Sequence, residues 1–197
     1  MKQRTATIER ITRETSITVT LDLDTAGPAE VSTGIPFFDH MLDALGRHGL
    51  VTLGVAATGD LEVDAHHTVE DVGICIGQAL TQALGDKTGI RRYGSAAIPM
   101  DEALVLAAVD ISGRGGLFYD VDLPIEFIGT FETSLAREFM AALAQNAGVT
   151  LHVRKLAGDN AHHIVEAAFK ALARALAEAV EYDPRVAGVV PSTKGTL

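Results

Sequence analysis

His66-His67-Thr68-Val69-Glu70 and His162-His163-Ile164-Val165-Glu166 are two copies of one pattern, His-His-x-x-Glu. Their starts lie 162 − 66 = 96 residues apart, about half of the 197-residue chain. Each copy opens a long apolar-periodic segment, His66 to Leu84 before Gly85 and His162 to Val180, so both are read as the first turns of long helices. On a helix the first His and the Glu are four apart and the second His and the Glu three apart, which makes them surface neighbours. The two adjacent His diverge by about 100° around the axis, so they serve two different centres more readily than one. A histidine pair at a helix start can also be plain polar capping. Matched duplication favours a paired metal site instead.

The duplication extends beyond the word. Thr15 to Asp24 alternates Ile17, Val19, Leu21 and Leu23 against Thr18, Thr20, Asp22 and Asp24, the pattern of a half-buried strand. Pro36 can begin a helix that carries Phe37, Phe38, Met41, Leu42 and Leu45, and Leu50 to Ala57 reads as a strand. The second half repeats this order, with a strand over Ala103 to Ile111, a helix marked by Leu135, Phe139 and Leu143, and a strand over Val149 to Val153. Leu45 matches Leu143 and Val55 matches Val153 at an offset of 98, so the loop before the second word is two residues shorter than the first. The expected fold is an α/β (α+β) sandwich of two pseudo-symmetric halves, each a small sheet covered on one face by two helices. The halves are drawn at residues 1–95 and 96–182, and residues 183–197 form an irregular tail.

Imidazole nitrogen and carboxylate oxygen without thiolate suit Mn, Fe, Co, Ni or Zn. One metal is expected to take His66 and Glu70, the other His162 and Glu166, while His67 and His163 each cross to the opposite helix's metal. His40 and Glu138 occupy matching positions (138 − 40 = 98) and join as further ligands. That gives four protein ligands per metal and two open positions at an octahedral ion. His152, inside an apolar strand, reads as structural, and His48 as a helix end or an outer support. The single cysteine, Cys75, lies on an apolar helix face and excludes a multi-thiolate site.

A net charge of −10 argues against nucleic acid, although a few local Arg and Lys can still hold a small anion. No apolar run approaches the length of a membrane span, and Met1-Lys2-Gln3-Arg4-Thr5 has no apolar secretory stretch. The expected compartment is the cytoplasm.

Taken with Phe38-Asp39-His40-Met41-Leu42-Asp43, Asp101-Glu102-Ala103-Leu104 and Pro191-Ser192-Thr193-Lys194-Gly195, the two His-His words make the chain resemble the imidazoleglycerol-phosphate dehydratase family of histidine biosynthesis. The resemblance runs from about Ile8 to the end. It implies two Mn²⁺ ions per chain at subunit interfaces of a 24-subunit homo-oligomer, and a small phosphorylated imidazole as substrate. It places the metal ligands on His40, His66, His67, Glu70, Glu138, His162, His163 and Glu166, the set that the duplication selects, and His67, Glu70, His163 and Glu166 thereby take part in catalysis. It places substrate contacts on Glu14, Arg92, Arg114, Lys170, Ser192 and Lys194, with Glu14 also the proton-transfer group. Glu138 stands where some members carry His, which bears on metal preference, and Ala44 where some carry a more polar residue.

The reaction implied is loss of water to give imidazole acetol phosphate. The carbon that loses hydrogen has no adjacent carbonyl, so the imidazole ring is expected to act as electron sink, held as imidazolate between two Lewis-acidic ions while a diazafulvene-like species forms. Arg92, Arg114 and Lys194, with the Ser192 hydroxyl, form the expected phosphate clamp. Lys170, four residues after Glu166, could equally be its helical ion-pair partner. Two other readings use the same ligand words. A binuclear metallohydrolase would hold its ions about 3.5–4 Å apart, and a metal-stapled assembly protein would have closed sites and no use for the Arg, Ser and Lys group.

Overall fold

The computed structural model describes residues 3–197; Met1 and Lys2, which open the N-terminal stretch read above, lie outside the described residues. The first half forms β1 (Thr5–Ile11), β2 (Thr15–Asp22), β3 (Glu30–Ser32), helix α1 (Pro36–Gly49), β4 (Thr52–Gly59) and helix α2 (His66–Leu84). Its four strands lie in the order β1-β2-β4-β3. The second half repeats the plan with β5 (Tyr93–Met100), β6 (Ala103–Asp110), β7 (Gly116–Asp120), helix α3 (Leu135–Ala147), β10 (Thr150–Ala157) and helix α4 (Ala161–Val180), in the order β5-β6-β10-β7. Two similar sheets and four main helices are what the duplication predicts.

The alternation of β2 is realised, with Ile17, Val19 and Leu21 buried and Ser16, Thr18 and Thr20 exposed. α2 lies across β1 and β2, α4 lies across β5 and β6, and the helices pack across the halves as α1 on α4 and α2 on α3. One continuous apolar core results, containing Val19 and Leu53 of the first half and Val105 and Phe169 of the second. Gly73 and Gly77 let α2 close on α3: a Cβ at either would meet a backbone carbonyl oxygen of α3, Phe139 O or Leu143 O, at 2.7 Å.

Register carries the duplication further upstream than the sequence comparison did. Thr5 pairs with Asp22 and Tyr93 with Asp110, so β1 and β2 map onto β5 and β6 at an offset of 93 − 5 = 88. The same offset relates β3 to β7, since Val31 faces Val55 and Tyr119 faces Val153. From α1 through β4 it is 98, and at the helices that carry the His-His words it is 96. The ten extra residues fall between β7 and α3, where β8 (Phe127–Ile128) and β9 (Phe131–Glu132) form a hairpin absent from the first half. The sequence division at residue 95 falls inside β5, because the alternation there is broken by Gly94 and Pro99.

Candidate metal centre and substrate site

The two helices that carry the repeated word are capped differently. On α4 the Asn160 Oδ1 accepts from the backbone N–H of His162 at 2.9 Å and of His163 at 3.3 Å. On α2 the His66 N–H donates to Asp64 Oδ1 at 2.8 Å. In both, an oxygen satisfies free N–H groups of the first turn, and the imidazoles project from the helix mouth.

Within each word the rings diverge. Those of His66 and His67 stand 6.2 Å apart at 90°, and those of His162 and His163 6.0 Å apart at 79°. The first His of each word faces its own Glu: His66 Nε2 is 3.8 Å from Glu70 Oε2 and His162 Nε2 is 3.3 Å from Glu166 Oε2. Because α1 packs on α4, His40 Nε2 also comes within 3.7 Å of that Glu166 oxygen. His40, His162 and Glu166, drawn from both repeats, thus lie side by side. Glu138 holds the corresponding place on α3, and its carboxylate accepts from Arg137 at 2.9 Å. Among the described residues of the one chain, no group of three or more His, Cys, Asp or Glu side chains is placed to hold a metal ion.

The two glutamates differ in setting. The Glu70 side chain is 48% exposed, whereas that of Glu166 is 8% exposed and accepts from Lys170 Nζ at 2.7 Å. Burial pushes the Glu166 carboxyl up, but the Lys170 bond and the charges of Lys170, His40 and His162 outweigh it and hold the carboxyl below its ordinary value. An ionised carboxylate beside two imidazoles is a chemically suitable donor set for a hard divalent ion. Cys75 is no competitor, since burial pushes its thiol up to about 11.

The second His of each word turns to a carboxylate that the sequence reading did not single out as a site residue. His67 Nδ1 lies 3.0 Å from Asp60 Oδ2, and His163 Nδ1 lies 2.7 Å from Glu102 Oε2. The Asp60 bond raises the proton affinity of His67; the Glu102 bond raises that of His163 and brings the Glu102 carboxyl down to about 2. Glu14 is exposed in the turn between β1 and β2, and its backbone carbonyl accepts from the Asp60 N–H at 3.1 Å, which places that turn beside His67.

The expected anion-binding group gathers elsewhere. Arg92 Nε donates to Asp110 at 2.8 Å, Nη2 to Asp110 at 3.2 Å and Nη1 to the Pro191 carbonyl at 2.8 Å. Arg92 thereby ties down the tail that carries Ser192 and Lys194, where Lys194 N–H donates to Ser192 Oγ at 3.2 Å. Arg114 is exposed, with its N–H on Ser112 Oγ at 3.1 Å, and a Cβ on the neighbouring Gly113 would meet the terminal carbon of Leu197 at 2.6 Å. Arg92 precedes β5, and the turn beside His163 follows it. Eight residues of strand at about 3.3 Å each separate them by roughly 25 Å. The structure therefore places the second repeat's histidine turn and the clamp-type donors at opposite ends of the second sheet, with His40 joining His162 and Glu166 and with His66 and Glu70 paired on α2. His152 stacks on Phe118 at 4.5 Å, outside both groups.

The sequence pattern of the imidazoleglycerol-phosphate dehydratase family matches residues 33–176. The imidazoleglycerol-phosphate dehydratase of Paracoccus denitrificans is 63% identical over 194 residues, covering 98% of this chain and all of that one. That of Symbiobacterium thermophilum is 59% identical over 197 residues, covering all of this chain and 94% of that one. Among solved structures, the dehydratase of Staphylococcus aureus superposes with a TM-score of 0.83 at 38% identity, over 91% of this chain and 99% of that one. The enzyme from Pyrococcus furiosus, in complex with (S)-C348, gives 0.83 at 39% over 96% and 100%. Repeat, half-sites and relatives agree: this chain belongs to the imidazoleglycerol-phosphate dehydratase family.

Proposed function

We propose that the chain eliminates water from imidazoleglycerol phosphate to give imidazole acetol phosphate, a step of L-histidine biosynthesis, using two Mn²⁺ ions per chain. As a member of a dehydratase family it is a hydro-lyase. The observation that carries the metal reading is the pair of duplicated His/Glu half-sites, each with an imidazole Nε2 facing its own glutamate. His66, Glu70 and Glu138 would hold one ion and His162, Glu166 and His40 the other, with His67 and His163 completing sites across a contact. When bound, such ions supply Lewis acidity and a template for the two ring nitrogens of the substrate.

The remaining work falls to side chains of the protein. Glu14, exposed beside His67, moves the proton at the carbon next to the one that loses hydroxide. One C–H and one C–O bond break, the oxygen leaves as water, and the resulting enol becomes the ketone of the product. Lys170 keeps Glu166 ionised and aimed. Arg92 commits three of its five N–H donors to Asp110 and Pro191, leaving 5 − 3 = 2 for phosphate. Arg114, Ser192 and Lys194 complete the clamp.

A small substrate cannot bridge roughly 25 Å, so a complete site is supplied by more than one subunit, which supports a symmetric assembly, 24 subunits as the resemblance implies. Among the described residues no helix is long and apolar enough to cross a membrane, and a cytoplasmic enzyme is the reading adopted. The test is direct assay of the purified protein with imidazoleglycerol phosphate. Activity should vanish after chelation and return with Mn²⁺. A metal-replete protein that leaves the substrate unchanged would refute the proposal.

A further inference from the structure

We infer that Asp60 and Glu102 are positioning residues that fix the rings of His67 and His163 for metal, and that the two halves recruit this carboxylate from different structural elements. The inference rests on the metal reading above.

An ionised carboxylate only accepts hydrogen bonds, so each Nδ1 must be the donor to Asp60 or Glu102. In the neutral ring this sets the tautomer, with the Nε2 lone pair left for a metal. A carboxylate behind a ligating imidazole orients the ring and makes it a better donor. The other nitrogen of the His163 ring, Nε2, lies 3.6 Å from Asp101 Oδ2.

The sources are not equivalent. Asp60 lies in the loop between β4 and α2, whereas Glu102 lies in the turn between β5 and β6. At the offset of 88 that relates β1–β2 to β5–β6, the counterpart of Glu102 is 102 − 88 = Glu14. In the first half this turn meets the β4–α2 loop through its backbone, with the Asp60 N–H on the Glu14 carbonyl at 3.1 Å, and the loop supplies the carboxylate. In the second half the turn supplies it, and the other Glu102 oxygen accepts the Asn160 N–H at 3.0 Å. The three-residue link between β10 and α4 has Asp159 but no acid in contact with His163, so the turn must provide it. Glu14 is consequently spared from holding a histidine, while Glu102 is fully engaged. One duplicated turn position has become a proton carrier in one repeat and a ligand support in the other.

The test is calorimetric titration of Mn²⁺ into metal-free protein, comparing wild type with Asp60→Asn, Asp60→Ala, Glu102→Gln and Glu102→Ala. Each alanine variant should weaken one of the two ions by roughly ten- to a hundredfold and leave the other within about twofold. The carboxamides, whose oxygen still accepts, should fall between alanine and wild type. A purely structural role would not grade with acceptor strength or spare one ion. Two ions at unchanged affinity in all four variants, or equal weakening of both by each, would overturn the inference alone. A wild-type chain that binds no Mn²⁺ would overturn the metal reading and this inference together.

Discussion

The two repeats share a plan and differ where chemistry is divided. In the first, Glu70 is half exposed, Glu14 acts on His67 through its charge, and Asp60 backs His67 by a hydrogen bond. In the second, Glu166 is buried against Lys170 and His40, and Glu102 is taken up by His163 and Asn160. The second half also carries the extra β8–β9 hairpin and the Arg92–Asp110 tie to the tail. On the function proposed above, proton transfer falls to the first repeat and anion binding to the second, although both carry the same His-His-x-x-Glu word.

The sharpest break between the repeats comes from their glutamates. Glu70→Gln and Glu166→Gln should each abolish turnover and each release a different ion, measured by elemental analysis. Glu166→Gln should also lower thermal stability by about 1–3 kcal/mol more than Glu70→Gln, because it additionally leaves Lys170 half-buried without its carboxylate. Equal melting temperatures would mean that the buried pair is energetically no different from the exposed one.

Next in size is the response to chelation. If ligands cross between subunits, removing metal should reduce the mass seen by light scattering and Mn²⁺ should restore it. A mass unchanged in a demonstrably metal-free sample would confine the ions to chemistry.

The anion group of the second half should behave differently again. Lys194→Ala should raise KM roughly ten- to a hundredfold, the worth of one charged hydrogen bond of about 1.5–3 kcal/mol, with two ions retained. Unchanged steady-state kinetics would remove the tail from the site.

The smallest contrast lies in the backbone. α1 ends at Leu50 with φ 56°, and α3 ends at the equivalent Gly148 with φ 61°. A side chain in this left-handed region costs about 1–2 kcal/mol. Gly148→Leu should therefore destabilise by at least that amount, since its Cβ would also meet the Gly113 backbone at 3.3 Å, while the exposed Leu50→Gly should stabilise by up to about 1 kcal/mol, read from urea midpoints. A destabilised Leu50→Gly would show that Leu50 packs usefully despite its strain.

The duplication, the long helices and the eight ligand-type residues were legible because periodicity and residue chemistry act over short spans. His40 and Glu138 were found by offset alone, and α1 packs where His40 meets Glu166. Asp60 and Glu102 escaped because they reach their histidines across loops, and no spacing rule encodes that. The offset of 88 relates Glu102 to Glu14, but residue-for-residue similarity between the halves shows from Leu45 onward, and β5, with Gly94 and Pro99, hides its alternation. The gap between metal donors and clamp was also invisible, since it depends on which end of β5 each occupies.

That gap makes the central claim testable by complementation between chains. On the proposed assignment Glu166→Gln removes a metal ligand and Lys194→Ala a clamp residue, so each homogeneous assembly should be crippled at substrate levels that saturate neither. Co-expressed chains, purified as mixed assemblies through two different tags, should regain activity well above either parent, because some sites then receive an intact metal end from one chain and an intact clamp from another. Mixed assemblies no more active than the two parents averaged would contradict the account and place a whole site within each chain.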